Sequence, residues 1–466
     1  MGRREQALKY LNVGFALLRI ALIACVLPFA FGWRTPFFAD WRVSALALLI
    51  ALPLAVIVAD IWTMRRSGQS RALRWLAGAS LTLALAAFGL TAATEAIFRY
   101  QYRAVLTADP AALERLGRHV VIGYRDDAKL EALIARRAIA GVYLSARNVW
   151  GKTPAAIRAQ IDGWQATRRA QGLPPLWIAT DQEGGVVSRL SPPLTRMPPI
   201  GEIVSLHKDH AERLLAVRQY AARQGRELAA LGVNLNFAPV VDLNYGLINP
   251  EDRLSRISDR AISRDPAVVS ETAALYCETL ALTGVHCTLK HFPGLGRVYG
   301  DTHVVGAELD VPAKELDATD WLPFRAVMTD SAAFTMLGHA RLMQVDPNRP
   351  ASFSQAVVHG LLRETWKHDG VLITDDFSMG AVTLSSEGAA GGAVAALNAG
   401  VDLVLVSYDP DQYYPIMRAL LAAEGDGRLS RKTLAASDAR LQKATSAGDS
   451  AAQHAENAAT ETRHNP

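Results

Sequence analysis

The chain has 466 residues, of which 50% are hydrophobic and 20% are charged, and this composition excludes a largely disordered protein. Lys and Arg number 49 against 45 Asp and Glu, so the net charge of +4 is too small for a protein that coats nucleic acid. The length allows roughly two or three domains. The three cysteines, Cys25, Cys277 and Cys287, predict neither a disulfide framework nor a zinc site, so we expect packing to provide the stability.

The first hundred residues hold three apolar runs, each close to the roughly 20 residues that a helix needs to cross a bilayer. The runs are Leu11–Trp33, Val43–Ala59 and Trp75–Thr94, and they predict a membrane anchor over residues 1–99 with transmembrane helices near 11–33, 43–61 and 75–97. Arg19 interrupts the first run, and its long side chain can extend to the nearer interface. A cleaved signal peptide is the alternative, but no small-residue cleavage site follows the first run and two more apolar runs come after it.

Basic residues predict the orientation of the anchor, because short loops rich in Lys and Arg stay in the cytoplasm. The residues before the first run and in the second loop are Arg3, Arg4, Lys9, Arg65, Arg66, Arg71 and Arg74, whereas the first loop has Arg34 and Arg42. With three crossings, the N-terminus is inside and the rest of the chain lies outside the cytoplasm. We therefore expect a multi-pass protein of a bacterial-type inner membrane with an extracytoplasmic catalytic domain. Two crossings would reverse that placement.

Residues 100–445 alternate short β-branched runs with helix-like stretches, and residues 446–466 are polar, rich in alanine and predicted to be a disordered tail. The predicted strands are His119–Tyr124, Gly141–Ser145, Leu176–Thr180, Val233–Ala238, Val285–Lys290, Phe334–Gly338, Val371–Thr374 and Asp402–Ser407. Helices are predicted at Pro154–Gln171, Ala211–Leu231, Ala267–Leu282 and Gly391–Ala399. The pattern predicts an α/β fold, a (β/α)8 TIM-type barrel preceded by an all-α transmembrane segment of about three helices, with a doubly wound sheet as the alternative.

A barrel enzyme carries its chemistry where the strands end, and four predicted strands end in polar residues. The third runs into Asp181, the fifth into Lys290 and the sixth into His339, while Asp375 follows the seventh. A three-glycine loop after the fifth strand can bend over a site at the barrel mouth. These positions predict an active site at the carboxyl ends of the strands.

Two pairs of residues have side chains suited to catalysis. One of Asp375 and Asp376 faces the mouth and is a candidate nucleophile, because neighbouring side chains on a strand point in opposite directions. The alternative is that the pair caps the next helix. Asp301 and His303 stand two apart on the glycine-rich loop, where a carboxylate can orient an imidazole that acts as general acid/base near neutral pH. An exposed turn is the alternative there.

Cationic side chains complete the candidate site. Lys290, Arg189 and Arg260 can bind hydroxyl or carbonyl oxygens of a polar substrate, although each alone is more often a surface charge. A zinc site is a competing interpretation that would use His291, Asp301, His303 and His339. No His-x-His ends the first strand and no His-Glu-x-x-His occurs, so no metal or cofactor is predicted. The residues alone predict a barrel enzyme that acts on a polar substrate.

The order and spacing of the motifs resemble those of family 3 glycoside hydrolases, specifically the β-N-acetylhexosaminidase branch, over about Val105 to Thr445. The motifs are Asp181-Gln182-Glu183-Gly184-Gly185 with Arg189, Asp259-Arg260, Lys290-His291-Phe292-Pro293-Gly294 with Asp301-Thr302-His303, and Thr374-Asp375-Asp376-Phe377-Ser378-Met379. The resemblance implies that Asp375 is the nucleophile and that His303, held by Asp301, is the acid/base. It also implies a set of residues that hold the terminal N-acetylglucosamine, namely Asp181, Arg189, Arg260, Lys290 and His291.

The implied reaction is retaining exo-hydrolysis of β-linked N-acetylglucosamine from peptidoglycan fragments or related glycans, with that glycan and the lipid bilayer as the expected partners and no nucleic acid. The alternatives are a β-glucosidase or β-xylosidase of the same fold and a non-catalytic glycan sensor, and retention of all three catalytic positions argues against the sensor. The chain departs from the usual family residues at Val186, Ala261–Ser263, Leu295 and Arg297-Val298. Arg297 is the departure that we expect to alter the resting position of the loop or its substrate.

Overall fold

A computed structural model describes residues 3–247, 252, 254–330 and 332–446. The chain divides into two compact units, with the boundary between Leu106 and Thr107. That boundary follows the end of the last long apolar helix, seven residues beyond the predicted end of the anchor at Arg99. Of the predicted disordered tail, Ser446 ends a helix over residues 431–446, and residues 447–466 lie outside the described part of the chain.

The first unit contains three long helices, α1 (Arg3–Gly32), α2 (Arg42–Arg65) and α3 (Arg71–Leu106), with a short 3-10 turn at Pro36–Phe38. Each is long and apolar enough to cross a membrane, with the candidate spans at Tyr10–Gly32, Arg42–Arg65 and Arg71–Leu106. Because α3 has 36 residues, it is about 54 Å long and exceeds the ~30 Å of a bilayer's hydrocarbon core.

A buried ion pair lies among these helices. The Arg19 Nε of α1 is 2.8 Å from the Asp60 Oδ1 of α2, and the Asp60 side chain is fully buried. Arg19 therefore pairs with a neighbouring helix, whereas the sequence had suggested that it extends to the interface. Pairing lowers the cost of a charge within an apolar run, because each side chain neutralises the other.

The second unit is built on eight parallel strands, which occur in the predicted order. They are β1 (Val120–Ile122), β2 (Gly141–Leu144), β3 (Trp177–Thr180), β4 (Leu235–Asn236), β5 (Thr288–Phe292), β6 (Phe334–Leu337), β7 (Leu372–Asp376) and β8 (Leu403–Val406). The strands lie in the order β4-β3-β2-β1-β8-β7-β6-β5, so that β8 pairs with β1, and β4 and β5 are the two edges. Parallel bridges Leu235–His286 and Val240–Lys290 join the remaining edges near β4 and β5. The sheet is therefore a nearly closed barrel, which excludes the doubly wound alternative.

Helices separate the strands of this barrel. Their bounds are Pro110–Gly117, Asp127–Ala135, Ala146–Val149, Pro154–Ala170, Ile200–Leu206, His210–Leu231, Ile257–Arg260, Pro266–Ala281, Ala313–Ala318, Leu322–Asp330, Gly380–Thr383, Gly388–Ala399 and Tyr413–Gly425. A π-helix occupies Ala356–Thr365, 3-10 turns occupy Ala351–Phe353 and Pro410–Gln412, and two-stranded ribbons pair Gln182–Gly184 with Val187–Ser188 and Glu308–Leu309 with Arg341–Leu342. All four helices named from the sequence are confirmed within three residues.

Local chemistry explains where the long barrel helices begin. Thr153, Asp209 and Asp265 each precede a helix and accept a hydrogen bond from a backbone N–H in its first turn. Such caps satisfy N–H groups that have no partner within the helix. Inside the barrel, large apolar side chains such as Trp177 and Phe334 fill the core.

The cysteines differ from the expectation that packing alone stabilises the chain. Cys277 and Cys287 form a disulfide with their Cα atoms 5.3 Å apart, and Cys25 is free. Cys277 lies in the helix Pro266–Ala281, and Cys287 lies one residue before β5. Their pairing depends on how that helix packs against the barrel, which the spacing of the cysteines does not reveal.

Candidate active site

A buried cluster of two cations and two carboxylates lies where β3 and β5 end. Lys290 is 1% exposed, and its Nζ lies 2.5 Å from both Asp181 Oδ1 and Glu183 Oε1. Arg260 binds both oxygens of Glu183, with Nε–Oε2 and Nη2–Oε1 distances of 2.9 and 2.7 Å. Burial raises the pKa of Asp181, but Lys290 and Arg189 together lower it to about 2. The acids thus remain ionised, and the cluster offers both donors and acceptors to a polyol.

His291 extends this cluster and is oriented by a buried carboxylate. Its Nδ1 lies 2.7 Å from Asp242 Oδ2, and its Nε2 lies 3.3 Å from Arg260 Nη2. Asp242 also accepts hydrogen bonds from the backbone N–H groups of His291 and Leu295. Asp242 therefore fixes both the His291 ring and the start of the loop that follows β5.

The ribbon after β3 carries Arg189 beside the cluster. The Arg189 N–H donates to the Asp181 carbonyl at 3.0 Å, and Tyr143 donates to Asp181 Oδ2 at 2.7 Å. Although burial lowers the pKa of Arg189, the nearby Tyr143 and Asp181 raise it above its usual value. Gly184 turns the ribbon with φ +96°, and a Cβ there would overlap the Tyr220 hydroxyl. Only glycine fits this turn without displacing its neighbours.

The two aspartates at the end of β7 point in different directions. Asp375 is partly exposed at the barrel mouth, and the N–H of Asp376 donates to its Oδ1 at 2.8 Å. Burial raises the pKa of Asp375, but His291, His339 and His303 lower it below its usual value. The two carboxylate oxygens of Asp376 instead accept hydrogen bonds from the backbone N–H groups of Ser378, Ser407 and Tyr408. Asp375 is thus the carboxylate available to a ligand, and Asp376 joins β7 to β8.

The glycine-rich loop after β5 brings Asp301 and His303 to the same mouth. His303 Nδ1 lies 2.9 Å from Asp301 Oδ1, and the side chain of His303 is 36% exposed. Burial raises the pKa of Asp301, but hydrogen bonds from the His303 side chain and backbone outweigh that effect and lower it. The loop is docked beside β7, because Gly380 N–H donates to the His303 carbonyl at 2.8 Å and Ala381 N–H to the Thr302 carbonyl at 3.1 Å.

Arg297 fixes the first part of this loop. Its Nη2 lies 2.7 Å from Tyr245 Oη and 3.1 Å from Thr319 Oγ1, and its Nε lies 3.1 Å from Asp320 Oδ2. The guanidinium also lies over the Tyr245 ring, with Cζ 4.4 Å from the ring centre. The neighbouring departure Leu295 is buried in a small apolar cluster, and Val186 is exposed. The departure at Arg297 therefore adds contacts to the resting loop without removing any of the candidate catalytic groups.

All eight residues proposed from the sequence lie at this mouth, in three groups: Asp375, the pair Asp301–His303, and a third group called the cationic cluster, which consists of Lys290, Arg260, Arg189, His291 and Asp181. Sequence reasoning missed Glu183 and Asp242 as site residues, although both follow predicted strands and the same strand-end rule would have found them. His339, one of the four considered for zinc, is buried with Nδ1 2.8 Å from Ser352 Oγ. Within the described part of the chain, no group of three or more His, Cys, Asp or Glu is arranged to hold a metal ion.

Comparison with protein families identifies a match over most of the second unit. The model described as "Glycosyl hydrolase family 3 N terminal domain" matches residues 112–444. A "Beta-hexosaminidase" of Xanthomonas oryzae pv. oryzae is 38% identical over 272 residues, which cover 58% of this chain and 77% of that protein.

Glycoside hydrolases are among the solved structures that superpose on this chain. A family 3 β-N-acetylglucosaminidase from Paenibacillus sp. str. FPU-7 superposes with a TM-score of 0.65 and 30% identity, over 72% of this chain and 62% of that one. A β-N-acetylhexosaminidase from Beutenbergia cavernae gives a TM-score of 0.62 and 30% identity, over 73% of this chain and 100% of that one. The aligned share of this chain is close to the size of the barrel unit, in keeping with the family match over residues 112–444.

Proposed function

The chain belongs to glycosyl hydrolase family 3, and on that premise we propose that it is a retaining β-N-acetylhexosaminidase that removes terminal β-linked N-acetylglucosamine from peptidoglycan fragments or related glycans. One observation carries the proposal: Asp375, whose pKa is lowered, shares the barrel mouth with His303, which is oriented by Asp301. The names of the relatives, a "Beta-hexosaminidase" and a β-N-acetylglucosaminidase, support the choice of sugar.

We assign the cationic cluster to the sugar. Lys290, Arg260, Arg189 and His291 can donate hydrogen bonds to hydroxyl and acetamide oxygens, and Asp181 can accept from hydroxyls. The cluster is already paired internally, with Lys290 and Arg260 both bound to Glu183. Its side chains are therefore held in position before a ligand arrives, which lowers the ordering cost of binding.

In the first step, the Asp375 carboxylate attacks the anomeric carbon and the bond from that carbon to the leaving oxygen breaks. The leaving oxygen takes the electron pair of that bond and a proton from His303 Nε2, because His303 Nδ1 is engaged by Asp301. The products are a covalent glycosyl ester of Asp375, a neutral His303 and the released aglycone alcohol.

In the second step, water attacks the same carbon while neutral His303 accepts its proton, and the ester bond to Asp375 breaks. His303 and Asp375 return to their starting states, so one water is consumed for each bond cleaved. Two displacements at one carbon restore its configuration, as in other retaining glycosidases. An oriented histidine fulfils the acid/base role that a second carboxylate has in most of these enzymes.

We further propose that α1 to α3 anchor the enzyme in a bilayer with the barrel outside the cytoplasm. Three apolar helices of spanning length support this orientation. So does the excess of basic residues before α1 and around the α2–α3 loop, compared with the α1–α2 loop. The Cys277–Cys287 disulfide supports it independently, because disulfides persist in oxidising compartments. In that position the barrel has access to cell-wall glycan.

The test is hydrolysis of 4-nitrophenyl β-N-acetylglucosaminide by the detergent-solubilised full chain. We expect Asp375→Ala to lose activity by at least about 10³-fold and His303→Ala by roughly 10²–10⁴-fold. The anomeric configuration of the first product, observed by NMR, is expected to be β. The controls are Asp426→Ala and His359→Ala, whose side chains are 64% and 50% exposed, and we expect wild-type rates from both.

Three results would contradict the proposal. Cleavage of the glucoside but not the N-acetylglucosaminide would exclude the assigned sugar. An α product would exclude the double displacement. Binding of N-acetylglucosamine without turnover of any glycoside would favour a glycan sensor.

A further inference from the structure

Ser255 contacts the acid/base pair but has no role in the proposed chemistry. Its Oγ donates to Asp301 Oδ1 at 3.1 Å and lies 3.4 Å from His303 Nδ1. The N–H of Leu254 donates to the other oxygen, Asp301 Oδ2, at 3.2 Å. Both oxygens of the carboxylate that orients His303 are therefore held from outside the loop, by one short segment between β4 and the helix Ile257–Arg260.

The same segment contacts the cationic cluster. The Ser255 carbonyl accepts a hydrogen bond from Arg260 Nη1 at 2.6 Å. Ser255 is 5% exposed, and its N–H donates to Asp252 Oδ1 at 2.8 Å. Arg256, the next residue, adopts the left-handed region with φ 44°, a conformation that costs a non-glycine residue energy. Surrounding contacts must therefore favour this backbone path.

We propose that Ser255 is a positioning residue for acid/base catalysis, which holds Asp301, and through it the imidazole of His303, in the geometry that proton transfer to the leaving oxygen requires. The proposal rests on the proposed function, since it assumes that His303 is the acid/base. Ser255 joins two groups that act at different moments: its carbonyl binds Arg260, assigned to the sugar, and its hydroxyl binds Asp301. Arg260 and His303 are thus connected through a single residue.

The position of Asp301 in the chain explains why such a contact is needed. The loop after β5 contains Gly294, Gly296 and Gly300 before Asp301, so contacts from other parts of the chain, and not the loop backbone alone, fix the carboxylate. A proton transfer loses efficiency when donor and acceptor are misaligned by about 1 Å. Among the described residues outside the loop, Leu254 and Ser255 donate to the Asp301 carboxylate, so removal of the Ser255 hydroxyl leaves the hydrogen bond from the Leu254 N–H.

The dependence on the leaving group separates positioning from a general structural role. An aglycone sugar needs a proton to depart, whereas 2,4-dinitrophenolate departs without one. Because kcat/KM reports the steps up to the first bond cleavage, loss of acid catalysis lowers it only for the poor leaving group. A loosened site would lower it for both substrates.

The experiment compares kcat/KM for N,N′-diacetylchitobiose and 2,4-dinitrophenyl β-N-acetylglucosaminide, with the full chain in detergent. For Ser255→Ala we expect about a tenfold loss on the disaccharide and less than a twofold loss on the activated substrate. The matched control is Ser258→Ala, because Ser258 lies only three residues further along, in the helix Ile257–Arg260, and its backbone carbonyl, not its hydroxyl, accepts a hydrogen bond from Asn244. We expect wild-type values from it on both substrates.

A second pair of variants removes the hydroxyl at constant shape. Ser255→Thr retains it and Ser255→Val lacks it, so the threonine variant is expected to be at least about fivefold faster on the disaccharide than the valine variant. Equal losses on both substrates, or no loss at all, would overturn the proposal. His303→Ala provides the reference: if its loss is also equal on both substrates, the acid/base assignment itself fails. If His303→Ala is selective and Ser255→Ala is not, only the role of Ser255 fails.

Discussion

At the scale of single residues, Asp242 is the buried carboxylate on which two parts of the site depend. It is fully buried and accepts hydrogen bonds from the Nδ1 of His291, at 2.7 Å, and from the backbone of Leu295, also at 2.7 Å. One side chain therefore orients a proposed sugar ligand and fixes the first residues of the loop that carries His303. Neither function is visible from the sequence around Asp242, because His291 and Leu295 lie about 50 residues further along the chain.

We predict that Asp242→Asn, which preserves the shape of the side chain, lowers kcat/KM by about 10²-fold and stability by about 2–3 kcal/mol. An amide NH₂ would then face donors that now bind a carboxylate, and at least one buried donor would lose its partner. Activity on the nitrophenyl substrate and thermal unfolding of the detergent-solubilised chain measure the two effects.

The control is Asp259→Asn, in the neighbouring motif. Asp259 pairs with Arg256 at the surface, where both side chains are 46% exposed, so its loss is expected to cost less than about 1 kcal/mol and to leave activity unchanged. Equal effects of the two substitutions would show that the buried hydrogen bonds of Asp242 do not govern the site.

The residues of the site could be predicted only to the extent that the chain keeps them within a motif. Asp375 could be named from the sequence because it follows a predicted strand. The pair Asp301–His303 could be named because it lies in a glycine-rich loop after another predicted strand. Ser255 could not, since its contact with Asp301 joins residues 46 apart in the chain. A hydroxyl has no pattern that distinguishes a positioning residue from a solvated one.

At the scale of secondary structure, the elements beside the nucleophile determine how the histidine loop docks. Gly380 begins the short helix Gly380–Thr383 after β7, and its N–H binds the carbonyl of His303. A Cβ at Gly380 would overlap the backbone carbonyl of Val304. This glycine is needed for close approach of two backbones.

We predict that Gly380→Ala undocks the loop and lowers kcat by about 10²-fold, because His303 moves away from Asp375. Binding of N-acetylglucosamine is expected to stay within about threefold, since the cationic cluster belongs to other strands. Steady-state kinetics and isothermal titration calorimetry measure the two quantities.

Gly163→Ala is the matched substitution, because Gly163 lies within the helix Pro154–Ala170 and nothing stands within 4 Å of an added Cβ. It is expected to leave kcat unchanged and to stabilise the chain by up to about 1 kcal/mol. A Gly380→Ala enzyme with wild-type kcat would mean that the loop catalyses without this docking contact.

The strands could be predicted well because a parallel barrel buries both faces of every strand, which leaves near-continuous apolar runs in the sequence. All eight occur, although the structure narrows the predicted Val233–Ala238 to Leu235–Asn236. The resting position of the histidine loop could not be predicted. It depends on Arg297 and Gly380, whose partners lie in other elements.

At the scale of the whole molecule, the charges of the first unit and the disulfide of the second both bear on which side of the membrane the barrel occupies. In the proposed orientation, the positive-inside rule keeps the N-terminus and the α2–α3 loop in the cytoplasm, and an odd number of spans leaves the barrel outside. The disulfide depends on the redox state around the barrel and not on loop charges. The two observations are independent, so an error in the number of spans would make them disagree.

We predict that alkaline phosphatase fused to the C-terminus of the full chain is active in cells and that a green fluorescent protein in the same position is dark, because the first folds only outside the cytoplasm and the second only inside. Fusions after Gly68, in the α2–α3 loop, are the control and should give the opposite pair of results.

The second readout uses Cys25→Ser in the full chain, with thiols labelled after denaturation. We expect no label without reductant and two labels with it, from Cys277 and Cys287. A fluorescent C-terminal fusion together with two free thiols would assign the barrel to the cytoplasm, where its substrate would have to be imported wall fragments and not the wall itself. An active phosphatase together with free thiols would preserve the orientation and exclude the disulfide as support for it.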